Sequence, residues 1–163
     1  MIKRQFALLI LILLSGFSMT ADACTTAIIS AKGSSNGKSM IWKLRDTSKN
    51  KNAIRYFDDG KYAYLGLVNS SDTLGEHVWG GSNSAGLAIM NSASYNVNIN
   101  DTTQLKDQEG VFMKLVLQTC ATLEDLEKLL DSYPKPRGQA SNYGVIDANG
   151  GAAYYEVNNW PWT

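Results

Sequence analysis

An α+β fold is what this sequence predicts, and three observations predict it. Short β-branched or aromatic runs, split by turns bearing glycine, asparagine and aspartate, fill the chain to about residue 91 and return after residue 142. Between them the apolar spacing becomes helical over two consecutive segments. Eight Tyr, four Trp and fourteen Gly suit a sheet-rich globular chain and not a disordered one. Strands, then helices, then strands is the order of an α+β domain. There is no internal repeat and no low-complexity segment.

The first element is a leader. Residues 1–5 are short and basic, residues 6–17 form an apolar run too short for a comfortable membrane span, and Ala21-Asp22-Ala23 is a small-x-small cleavage site. This predicts a signal peptide over 1–23 and an exported protein, periplasmic or extracellular. Of 163 residues, 140 would follow, enough for one domain with a hydrophobic core. Lys3, Arg4 and Asp22 leave with the leader, so 13 basic and 14 acidic side chains remain, a net −1. No basic surplus points to nucleic acid, and no second long apolar run points to a membrane once the signal is cleaved.

Residues 25–31 are β-branched and read as a strand. Residues 32–37 end in Asn36-Gly37, a tight-hairpin signal, and 39–44 read as the returning strand. Antiparallel pairing would then bring Cys24 beside Arg45-Asp46. Further strands are expected over 53–57, 62–68 and 86–91, with Asp58-Asp59 in a turn. Residues 108–119 carry Val111, Phe112, Leu115, Val116 and Leu117 and predict a largely buried helix. Thr122 is a candidate N-cap for a second helix, with Glu124 and Asp125 in its first turn and Leu123, Leu126, Leu129 and Leu130 on one face. It should end before Pro134. Strands over 143–147 and 152–157 form a last hairpin, after which Trp160 and Trp162 follow with nothing left to cover them.

Cleavage after Ala23 would put a thiol and a free α-amine on one residue, Cys24. A thiol attacks as its thiolate, and an α-amine titrates at about 7.7–8.0, well below a lysine. The amine could take the thiol proton as sulfur attacks a carbonyl and return it to the leaving nitrogen. No histidine is required, and His77, the only one, reads as a rim residue. Two other readings of Cys24 stand beside this one: a lipidated cysteine, although Ala21 is a poor match to that motif, and a disulfide with Cys120. Cys120 otherwise reads as an inert core thiol. Tyr64, Trp79 and Tyr95 are candidate linings of an acyl pocket, beside the plainer reading of core or surface aromatics.

Cys24-Thr25-Thr26, the Gly37 turn and Lys43-Leu44-Arg45-Asp46 resemble the opening of N-terminal nucleophile (Ntn) cysteine hydrolases. That group includes choloylglycine hydrolases, penicillin V acylases and isopenicillin N acyltransferases. Asn83-Ser84-Ala85-Gly86-Leu87 through Asn91, and Asn142 to Asp147 with Gly150 and Glu156-Val157, resemble later parts of the same fold. The resemblance implies an Ntn-type αββα sandwich, present as its N-terminal part and incomplete at the C-terminus, over residues 24–163. It implies an enzyme acting on linear amide bonds through an acyl-enzyme at Cys24. Asp46 would hold the terminal amine, Asn91 would donate to the oxyanion, and Lys43 or Arg45 would favour the thiolate. Lys43 stands where the family has Arg. Two alternatives belong beside hydrolysis: an acyltransferase of the same fold, and a secreted non-catalytic module with a Cys24–Cys120 disulfide. The expected partner is a small-molecule amide. Neither cofactor nor metal is called for, and a homo-oligomer is left open.

Overall fold

The computed structural model describes residues 24–97 and 101–163. The expected signal peptide lies outside them. Among the described residues, eight strands and two α-helices form a sheet-rich α+β structure. Strands β1 (Thr25–Ile29) and β2 (Met40–Leu44) pair only with each other. The other six make one antiparallel sheet in chain order. These are β3 (Asn52–Phe57), β4 (Tyr64–Asn69), β5 (Gly80–Asn83), β6 (Ala88–Ala93), β7 (Ser141–Ile146) and β8 (Ala152–Val157). Helices α1 (Glu109–Thr119) and α2 (Leu123–Ser132) lie between β6 and β7 in sequence.

Side-chain alternation sends each face of the sheet to a different partner. Tyr64, Val68, Leu87, Ile89, Tyr143, Val145, Tyr155 and Val157 join Phe112, Met113, Val116 and Leu117 of α1 and Leu126 and Leu130 of α2 in the core. The β1–β2 hairpin lies on the opposite face, against β6, β7 and β8. It can approach because residue 144 is glycine: a Cβ there would come within 2.8 Å of Met90 Cε and 3.2 Å of Ile28 Cδ1. Asn36-Gly37 does not make a two-residue turn. A 3-10 turn at Ala31–Gly33 precedes it, and the connection runs from Ser30 to Ser39, with Gly37 at φ +69°.

Thr122 caps α2 as expected, its Oγ1 accepting from the Asp125 N–H while Asp125 accepts from the Thr122 N–H. Val111 departs from the expected buried set. It sits at 36% exposure on the outer side of α1, and Met113 is buried with Phe112. The tail is covered in part: Trp160 stays 52% exposed, while Trp162 finds partners. Trp162 packs on Tyr155, ring centroids 5.7 Å apart, and donates through Nε1 to Asp131. Beneath it the buried Arg137 donates to the carbonyls of Leu130 and Trp160.

The Asn83–Gly86 turn explains its own residues. Asn83 Oδ1 accepts from the N–H groups of Ala85 and Leu87, and its Nδ2 donates to the carbonyls of Leu117 and Cys120 at the end of α1. Gly86 sits at φ +88°, where a Cβ would meet Ala148 at 2.8 Å. One buried amide thus closes the β5–β6 turn and pins a helix end. Asn83→Ala should lower stability by roughly 3 kcal/mol, because two buried carbonyls and two N–H groups lose partners. A fall in the urea midpoint at unchanged slope would show it.

Candidate active site

The site forms where strand ends converge. Thr25 pairs with Leu44, which carries Cys24 across the hairpin to Arg45 and Asp46. The Cys24 thiol donates to the Asp46 backbone carbonyl, Sγ to oxygen 3.7 Å. Along β2, Trp42 and Leu44 turn to solvent while Ile41 and Lys43 turn inward.

Lys43 reaches the sheet where β5 begins. Gly80 pairs with Met90, so Trp79 and Asn91 stand one step beyond that ladder. The Lys43 ammonium bridges them, donating to the Trp79 carbonyl at 2.9 Å and to Asn91 Oδ1 at 2.7 Å. Asn91 Nδ2 donates in turn to Ser141 Oγ at 3.2 Å. Arg45 lies over the Trp79 ring, its guanidinium carbon 5.1 Å from the centroid, and donates through Nη1 to Asn52 Oδ1. His77 stacks against the same ring at 6.3 Å.

Cys24, Lys43, Arg45, Asp46 and Asn91, residues 67 positions apart at the extremes, line one cavity of about 460 Å³. His77 and Trp79 also line it. Burial pushes the Lys43 ammonium down to about 8, against a raising influence from Cys24 and a further lowering one from Arg45. Burial also holds Arg45 below its ordinary value, again opposed by Cys24. Lys43 and Arg45 thus bring two positive groups to the cavity that holds Cys24. Both acceptors bonded to Lys43 are neutral carbonyls, so its charge is not spent on a carboxylate at contact distance.

Residues 36–161 match the family described as acyl-coenzyme A:6-aminopenicillanic acid acyl-transferase. The chain belongs to that family. The match contains Lys43, Arg45, Asp46 and Asn91 and begins beyond Cys24. The acyl-transferase family sits within the Ntn group of choloylglycine hydrolase and penicillin acylase-like proteins, and membership points to an enzyme of acyl transfer or amide hydrolysis. A search of the curated proteins finds no match.

This acyl-transferase-family structure also decides between the alternatives left open for other residues. Cys24 and Cys120 are both free thiols, so no disulfide joins them. Cys120 lies in the helix-side core, 2% exposed, where burial pushes its thiol up and away from reactivity. Tyr64 is a core residue and Tyr95 is 74% exposed, so of the three aromatics only Trp79 lines the cavity. Ser141 and the Trp79 carbonyl were not legible as site groups. Only the β6–β7 register, with Asn91 opposite Tyr143 and Ala93 opposite Ser141, places that hydroxyl beside Asn91.

Proposed function

We propose that this protein cleaves linear amide bonds through an acyl-enzyme on Cys24, after removal of residues 1–23 makes Cys24 the N-terminus. The observation that carries this is the convergence of thiol, two cations, a carboxylate and a side-chain amide on one cavity. In this reading the α-amine accepts the thiol proton, and Asp46 holds the amine. Sulfur then attacks the carbonyl carbon while Asn91 donates to the developing oxyanion. Collapse breaks the C–N bond, the amine protonates the leaving nitrogen, and water releases the acid. The hairpin, sheet and helices would be three layers of the Ntn-type αββα sandwich. The signal-like leader supports export to the periplasm or the extracellular space.

An apolar groove lined by Ile41, Ile54, Leu65, Leu67 and Met90 shares Lys43 and Trp79 with the Cys24 cavity, and would take the acyl chain. A second reading has a specific basis in the family's description: an amine, in place of water, takes the acyl group.

Intact mass and N-terminal sequencing of the purified protein, followed by incubation with p-nitroanilides of straight-chain acids, test both. An acyl adduct on the Cys24 peptide and release of p-nitroaniline are expected. Added hydroxylamine should divert product from free acid to hydroxamate if acyl transfer dominates. A protein beginning elsewhere, or one carrying no acyl group on Cys24, would overturn the mechanism.

A further inference from the structure

The side chains behind the cavity form a chain of hydrogen bonds with a single direction. It runs from Lys43 to Asn91, from Asn91 to Ser141, and from Ser141 to the backbone of β6. An ammonium has donors and no acceptor, so the end of Asn91 that it meets at 2.7 Å must be the carbonyl oxygen. A serine hydroxyl has one hydrogen, and Ser141 gives it to the Ser92 carbonyl at 3.1 Å. Ser141 can then only accept from Asn91, so the end that it meets must be the NH₂. Lys43 fixes the orientation, and the Ser141–Ser92 bond is the arrangement that agrees with it.

Asn91 is 7% exposed and Ser141 is fully buried. Turning the amide over would set nitrogen against a cation and make Ser141 give up the Ser92 carbonyl to meet the oxygen, both away from water. That is costly, because a buried polar group without a partner loses its full solvation. Of the two hydrogens on Asn91 Nδ2, one goes to Ser141. The other has no acceptor among the described residues, and Asn91 lines the cavity that holds Cys24.

We propose that Lys43 and Ser141 are positioning residues which lock the Asn91 amide from opposite ends, so that its remaining N–H is held for the oxyanion formed at Cys24. This rests on the reading of Cys24 as nucleophile and Asn91 as oxyanion donor. It adds a residue, Ser141, that the family resemblance did not supply. It also gives Lys43 a task beyond its charge.

Two reagents separate orientation from thiol reactivity. p-Nitrophenyl acetate acylates Cys24 through an oxyanion, whereas iodoacetamide alkylates sulfur at a saturated carbon without one. Each rate is measured on the purified protein whose N-terminus has been established. Asn91→Ala should lower acylation by about 10²–10³-fold, the usual result of removing such a donor. Ser141→Ala should lower it by roughly 10–100-fold, the scale of a misplaced group, with alkylation unchanged. Lys43→Met should lower both rates but acylation more, and Lys43→Arg, which can still donate to Asn91, should restore the ratio. The Lys43 pair decides the matter if Ser141→Ala does not fold, since Lys43 lies on the hairpin outside the main core. Parent-like acylation by Ser141→Ala, or an unmoved ratio in Lys43→Met, would overturn the lock while leaving the nucleophile in place. A parent protein that takes no acetyl on Cys24 would remove both.

Discussion

Cys24→Ser is expected to fold like the parent and to lose turnover by roughly 10⁶-fold, the scale of removing a covalent nucleophile. The two halves of that expectation come from different features. Cys24 precedes β1 at a partly exposed position, and its thiol makes one weak bond to a backbone carbonyl, so little packing depends on sulfur. The chemistry depends on sulfur heavily. Lys43 and Arg45 favour a negative group at this position, and sulfur carries a negative charge far more readily than an alcohol oxygen. Oxygen in place of sulfur would leave the cations with nothing to stabilise before attack. A matching urea midpoint with no burst of released product would show both halves, and unchanged turnover would end the mechanism. Cys120→Ser should do the reverse. It sits in the core with burial against its ionised form, so the cost is in stability and turnover is retained.

The parts of this architecture readable in sequence were those governed by local pattern. The 3.6-residue spacing of Leu126 and Leu130 and the Thr122 cap located α2, β-branched residues located β1, and the apolar run after the Gly37 turn located β2. β5 escaped because Gly80-Gly81-Ser82-Asn83 carries no strand-forming side chain. It is a strand only because β4 and β6 hold it on both sides. The tail was misread for a similar reason. What covers Trp162 is Tyr155 and Asp131, residues whose nearness depends on the fold and not on any local signal. In the site, Cys24 and Asp46 were legible because one hairpin joins them. Lys43 and Asn91 were legible as residues, but their direct bond was not, since it joins the hairpin to the six-stranded sheet. Ser141 was hidden altogether, an ordinary strand serine until register sets it beside Asn91.

The rate of the parent enzyme is expected to fall as pH rises above about 8, and Lys43→Arg should remove that fall. Lys43 assists the thiolate only while it is charged. Burial is the main cause of its low value, with Arg45 adding to it and Cys24 opposing it. Also facing the cavity are Asp46, Lys49, His77 and Asp107, on the loops around it. The terminal amine, the proposed base, becomes available only above about 7.7–8.0. The base thus gains as the cation fails, and the optimum is narrow. Arginine stays protonated through this range, so the alkaline limb should flatten; a limb that stays at the same pH would assign it to another group. Lys43→Met should cost on the order of 100-fold in turnover below pH 8, about 2.7 kcal/mol. Stability should move the opposite way. The folded-state value lies below the unfolded value of 10.5, so between about 8 and 10.5 the unfolded chain holds a proton that the folded chain does not. Stability of the parent therefore rises with pH across that window, by up to roughly 3 kcal/mol. Lys43→Met should lack this rise. Urea midpoints at pH 7 and pH 10 would show the difference between the two proteins changing with pH, whatever the loss of the bonds to Trp79 and Asn91 contributes at both. A lysine kept charged in a half-buried cavity costs the fold stability below pH 8, and the proposed return on that cost is a thiolate and an oriented amide.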